Sequence, residues 1–152
     1  MSNREQLAMY GGTPVRETNL PYARQSIDKD DIAAVEKVLT SDFLTTGPTV
    51  PHFEKKLANF VGAKFAVAFS SGTAALHGAC YAAGITKGDE VITTPFTFSA
   101  TSNSVLYVGG TPIFADINPQ TYNISPEAIE ELITPKTKAI IAVDYAGQPA
   151  EY

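Results

Sequence analysis

With one cysteine, Cys80, in 152 residues, the chain can form no internal disulfide, which fits a reducing compartment. It also has no dense basic cluster. Eleven Lys and Arg against sixteen Asp and Glu leave a formal charge of −5, and nucleic acid or an anionic membrane surface would call for a positive stripe. Neither is expected as a partner. The first ten residues, MSNREQLAMY, lack the apolar centre of a signal peptide. The purest apolar run, Ala139 to Val143, is far too short to span a bilayer. A cytoplasmic location is therefore expected. Internal repeats, low-complexity tracts and a clear linker are missing too. So are the Gly-x-x-x-x-Gly-Lys-Ser/Thr and Gly-x-Gly-x-x-Gly loops of nucleotide and dinucleotide sites.

What is present suits a globular α/β chain. The hydrophobic share of 44% against 18% charged is too apolar for a disordered tail. Residues 1–25 are punctuated by Gly11, Gly12, Pro14 and Pro21 and read as an extended arm. Over 28–40, Asp28, Asp30 and Asp31 precede Ile32, Val35, Val38 and Leu39 at helical spacing, with the acids at the positive end of the helix dipole. A loop over Phe43–Pro48 follows. A second helix then carries Phe53, Leu57 and Phe60 on one face and ends at Gly62.

From Lys64 the period changes. Phe65–Phe69 is almost wholly apolar and short, the pattern of a strand buried on both faces. Helices over about 73–83 and 99–108 then alternate with strands at 90–94 and 112–116. Ser125-Pro126-Glu127 opens another helix with a cap, a proline at the first position and an acid behind it. A last strand covers 139–143. Four such strands alternating with helices predict a parallel sheet covered on both faces, with residues 26–152 as one α/β unit.

Three stretches carry chemistry. Ser70-Ser71-Gly72-Thr73-Ala74-Ala75-Leu76 stands where the first strand meets a helix. The first N–H groups of a helix lack intrahelical acceptors, and glycine permits close approach, so the stretch suits a phosphate. Ser71 or Thr73 could equally cap the helix. The small residues of this helix predict that it is well buried. Its His77 and Cys80 have no second ligand pair, so metal is rejected, and His52 reads as a surface or capping residue. Thr94-Pro95-Phe96-Thr97-Phe98 lies beyond a strand's C-terminal end, where open parallel sheets bind ligands. Its phenylalanines could belong to the core or cover a flat ring. Asp144-Tyr145-Ala146-Gly147 sets a carboxylate and a phenol at the same rim, for function or for a turn.

Together with Leu44-Thr45-Thr46-Gly47-Pro48, Gly88–Pro95 and Thr134–Ile141, these stretches resemble one family from about Leu20 onward. It is the pyridoxal-phosphate (PLP) dependent aminotransferases that aminate nucleotide-linked sugars, the DegT/DnrJ/EryC1/StrS family. The ending Val143-Asp144-Tyr145-Ala146-Gly147 is most similar to the branch acting at C4 of UDP-linked 4-keto-6-deoxy amino sugars, as in pseudaminic acid synthesis. The resemblance implies part of a fold-type-I large domain over 26–152, with glutamate as amino donor and a homodimer with active sites at its interface. It implies that Gly72, Thr73 and Ala74 hold the cofactor phosphate and that Phe98 stacks on the pyridine ring. Thr45 and Thr46 would contact the nucleotide sugar.

The same resemblance implies what is missing. The lysine that forms the Schiff base and the acid that keeps the ring nitrogen protonated match no residue here, so no catalytic residue is assigned. Asp144 is not that acid, and neither Lys64 nor Lys87 is that lysine. The expectation is a truncated chain, inactive by itself. A related sugar dehydratase, or a non-catalytic remnant binding phosphate or a partner subunit, stays open. The family's sheet order 3-2-4-5-6-7-1 would also separate the first strand, 65–69, from the other three. Its backbone and apolar side chains would then stand unpaired.

Overall fold

The computed structural model describes residues 6–21 and 23–152. They divide into two compact units, Met1–His52 and Phe53–Tyr152. In the first, α1 (Lys29–Leu39) opens on a reciprocal cap. The Asp28 carboxylate accepts the Asp30 and Asp31 N–H groups, and the Asp31 carboxylate accepts that of Asp28. α2 (Thr49–Val61) begins in this unit, after an exposed run of bends.

The second unit holds the sheet. Its elements are α3 (Gly72–Ala82), β1 (Glu90–Thr93), α4 (Ala100–Tyr107), β2 (Thr111–Phe114), α5 (Pro126–Leu132) and β3 (Thr137–Ile140). Among the described residues the sheet has three strands, all parallel, in the order β2-β1-β3. Val91 and Ile92, adjacent on the central strand, are fully buried on opposite faces. Val91 packs with Cys80, Ile85 and Val105, beneath α3 and α4. Ile92 packs with Ala115 and Ile124, and with Ala128, Ile129 and Leu132 of α5. Helices therefore cover both faces, as the alternation of periods predicts.

Four expectations need correction. Residues 65–69 form no strand. The segment runs extended without a ladder partner, and Phe65 and Val67 are 74% and 70% exposed. Among the described residues the three strands pair in the order β2-β1-β3, and none of them pairs with 65–69. Among those residues the segment is held by contacts to Glu54 of α2 and Gly78 of α3. The Glu54 carboxylate accepts the Ala68 N–H at 2.8 Å, and the Phe69 ring lies over Gly78, where a β-carbon would meet its Cζ at 2.5 Å.

The last strand begins earlier than expected and ends at Ile140. One further ladder bond runs from the Ile141 N–H to the Ile92 carbonyl. α3 is not well buried either, since Cys80 alone among its residues is enclosed. It packs against α4 on one side. On the other, with the outer edge of β3 and with α5, it borders an open apolar cleft of about 620 Å³ that includes Leu76, Ala83, Ile129 and Ile140. Finally, the apolar face expected on α2 lies open, with Phe53, Leu57 and Phe60 all exposed and Ala58 the residue it buries.

Candidate anion site and sheet rim

The N-terminus of α3 forms as its residues require. Ser71 is in extended backbone and its hydroxyl accepts the Ala74 N–H at 3.1 Å, while its carbonyl accepts the Ala75 N–H at 3.0 Å. The capping role left open in the sequence thus falls to Ser71. The N–H groups of Gly72 and Thr73 precede the first intrahelical bond and sit at the positive end of the dipole. No acid lies in this first turn. A β-carbon at Gly72 would meet nothing within 4 Å, so the space above the turn is open to a ligand. That geometry fits a phosphate. It also divides the three expected residues, because the N–H of Ala74 is already engaged by Ser71.

A second set of groups lines the C-terminal end of the sheet. Beyond β1, Phe98 is 75% exposed, which removes it from the core and leaves its ring face accessible. Phe96 behaves differently. Its ring packs at 4.7 Å from that of Tyr145 and 5.8 Å from that of Tyr122, a trio closed by Tyr122 and Tyr145 at 6.0 Å. Thr97 and Thr101 share a hydroxyl–hydroxyl bond of 2.9 Å that ties this loop to the first turn of α4. Beyond β3, the Asp144 carboxylate accepts the Ala150 N–H at 2.9 Å and the Tyr152 hydroxyl at 3.0 Å. That bond, reinforced by the charge of Asp144, raises the Tyr152 phenol above its ordinary pKa.

Other expected residues belong to other parts of the chain. Thr45 and Thr46 lie in the exposed bends before α2 and belong to the first unit. His77 is exposed and packs edge-on against Tyr107 at 5.4 Å. Cys80 is buried, its thiol donating to the Ser104 hydroxyl at 3.5 Å. Sequence reading set the Tyr145 phenol at this rim but missed Tyr122, and it passed over Asn123, which is buried beside the rim. The signal for Asn123 was faint: a polar residue just before Ile124, between two turn-rich stretches.

A model of the DegT/DnrJ/EryC1/StrS aminotransferase family matches residues 25–152. The chain belongs to that family. Among its relatives is the spore coat polysaccharide biosynthesis protein SpsC of Bacillus subtilis, 50% identical over 132 residues, which cover 87% of this chain and 34% of SpsC. Two solved structures superpose on the fold described here. Helicobacter pylori PseC, an aminotransferase of pseudaminic acid biosynthesis, is 42% identical with a TM-score of 0.80, over 88% of this chain and 36% of PseC. NtdA of Bacillus subtilis, solved with bound cofactor PMP, is also 42% identical with a TM-score of 0.75, over 82% of this chain and 30% of NtdA. The chain thus spans about a third of the length of these aminotransferases.

Proposed function

We propose that the chain supplies the phosphate end of a PLP pocket in a nucleotide-sugar aminotransferase. The observation that carries this reading is the α3 N-terminus, where the Gly72 and Thr73 N–H groups precede the first intrahelical bond, space is open at Gly72, and the first turn is free of acids. The Thr73 hydroxyl adds a donor. The Ala74 N–H joins once phosphate replaces the Ser71 hydroxyl as its acceptor. Phe98 covers one face of the cofactor ring, for which its exposed position is suited. When bound, PLP supplies an electron sink for breaking bonds to the amino-bearing carbon. This chain's residues bind and orient it.

The remaining assignments belong to the same reading. The arm expected over residues 1–25 lies partly outside the described residues, and 26–152 form a portion of the PLP-binding large domain. Thr45 and Thr46 touch the substrate, a 4-keto-6-deoxy nucleotide sugar, and glutamate donates the amino group. The enzyme works in the cytoplasm as a homodimer. None of the lysines here matches the one that bonds the cofactor, so the 152 residues alone do not transaminate.

Titrating the isotope-labelled chain with inorganic phosphate, and then with PLP, tests the reading. Amide shifts centred on Gly72 and Thr73 are expected with both. An absence of change there, or shifts centred elsewhere, would overturn it. Formation of 2-oxoglutarate from glutamate by the 152 residues supplied with PLP and a 4-keto-6-deoxy nucleotide sugar would overturn the inactivity.

A further inference from the structure

Asn123 is 4% exposed and belongs to none of the motifs above. Its side chain makes three hydrogen bonds, all to the backbone of one segment. Nδ2 donates to the carbonyls of Gln148 at 3.0 Å and Pro149 at 2.9 Å, and Oδ1 accepts the Tyr145 N–H at 3.0 Å. Both amide protons are therefore used, and so is one acceptor site.

The two ends of this arrangement differ. On one side Asn123 is tied to the core. Its carbonyl accepts the Asn118 N–H at 2.8 Å, and its neighbour Ile124 bridges to Ile117 and packs under Ile92. On the other side lies a segment with little regular structure of its own. The turn at Tyr145–Gly147 contains Ala146 at φ 52°, a left-handed conformation that non-glycine residues adopt only when their surroundings impose it. Tyr145 in turn sets its ring against Phe96, two residues before Phe98.

We infer that Asn123 is a positioning residue: it seats Asp144–Pro149 on the core and so holds Tyr145 against Phe96, fixing the aromatic wall of the rim. Its purpose in the enzyme rests on the PLP reading above, because that wall adjoins the residue placed over the cofactor ring. The geometric claim can be tested apart from it.

The experiment uses NMR on the 152-residue chain with Asn123→Leu, which loses all three bonds, and Asn123→Asp, which keeps the shape and loses both donors. At neutral pH both variants are expected to lose the Tyr145–Phe96 ring contact. In Asn123→Leu the Tyr145 amide should also exchange about tenfold faster. Protection of Val91–Thr93 should persist in both. In Asn123→Asp, acidification toward the ordinary carboxylate range restores one donor, and the ring contact should return. Tyr152→Phe, which removes a different contact to the same segment, should leave the ring contact in place.

Retention of the ring contact in both variants would overturn the inference. So would equal loss of protection in β1 in both, which would make Asn123 a general stabiliser. Failure of acid to restore the contact while β1 stays protected would overturn it as well. Failure of the PLP reading would show separately, as missing phosphate shifts at Gly72 and Thr73, and would leave the Asn123 result standing.

Discussion

Phe65–Phe69 and Glu90–Thr93 look alike as sequence, being short, rich in β-formers and placed before a loop and a helix. In the fold they are opposites. Val91, Ile92 and Thr93 are fully enclosed at the centre of the sheet, while Phe65–Phe69 is extended and unpaired with its large side chains open. The difference comes from neighbours. β1 has a strand on each side, so its backbone groups are satisfied and its side chains meet helices on both faces. Among the described residues, the other segment has a backbone N–H bonded to a glutamate and a ring over a glycine in place of a ladder. An apolar run states what a segment can bury, and the partners decide whether it does.

Mutations can break or sharpen this contrast. The largest effect should come from Ile92→Ala, expected to cost about 2–5 kcal/mol in urea denaturation, against less than about 0.5 kcal/mol for Val67→Ala. Similar losses at both sites would mean that 65–69 is buried in solution after all, by an arrangement absent here.

Glycine substitutions give a finer test. A β-carbon at Gly110 would lie 2.7 Å from Ile85 Cγ2 and 2.9 Å from Val105 Cγ1, inside the packed face under α4. Gly110→Ala should therefore cost about 1–3 kcal/mol through overpacking. At Gly78 the obstacle is the outer end of the Phe69 ring, which can swing away because little else holds it. Gly78→Ala should cost less than Gly110→Ala in the same measurement, while moving the aromatic resonances of Phe69. A smaller effect is expected from Ser71→Ala, about 1 kcal/mol for a lost helix cap. That change also frees the Ala74 N–H, so phosphate affinity should hold or rise even as the melting temperature falls.

The smallest effects should be in pH dependence. Glu127 lies below its ordinary pKa, chiefly because the Ser125 hydroxyl donates to its carboxylate and secondarily through its own backbone N–H. Its contribution is present above the unfolded value and is lost as pH falls through the lower folded value. Tyr152 lies above its ordinary pKa, so its contribution is present below the unfolded value and is lost as pH rises through the higher folded one. Glu127→Gln should flatten the acid limb of the stability profile and Tyr152→Phe the alkaline limb. A change on the opposite limb would contradict the bonds described.

Much of this was legible in the chain because its signals are local. Asp28 and Asp31 announce α1, Ser125-Pro126-Glu127 announces α5, and Ser71-Gly72 marks the start of α3, whose open N–H groups follow from helix geometry alone. The rim was legible only in outline. Phe96 and Phe98 are indistinguishable by pattern, yet one packs against two tyrosines and the other stands exposed, because the Tyr122 and Tyr145 rings arrive from distant loops. Asn123 gave almost no sign, since its role depends on carbonyls more than twenty residues away.

The sequence by itself therefore determined the helix caps, the alternation of helix and strand from α3 onward, the charge balance and a turn at Gly72 whose first N–H groups lack intrahelical acceptors. Each depends on residues within a few positions of one another. Tertiary structure alone decided which apolar runs became core, which phenylalanine faces outward, and which buried amide holds the rim. Those outcomes depend on which distant backbone groups and side chains meet, and a strand without a neighbour cannot bury what its composition offers.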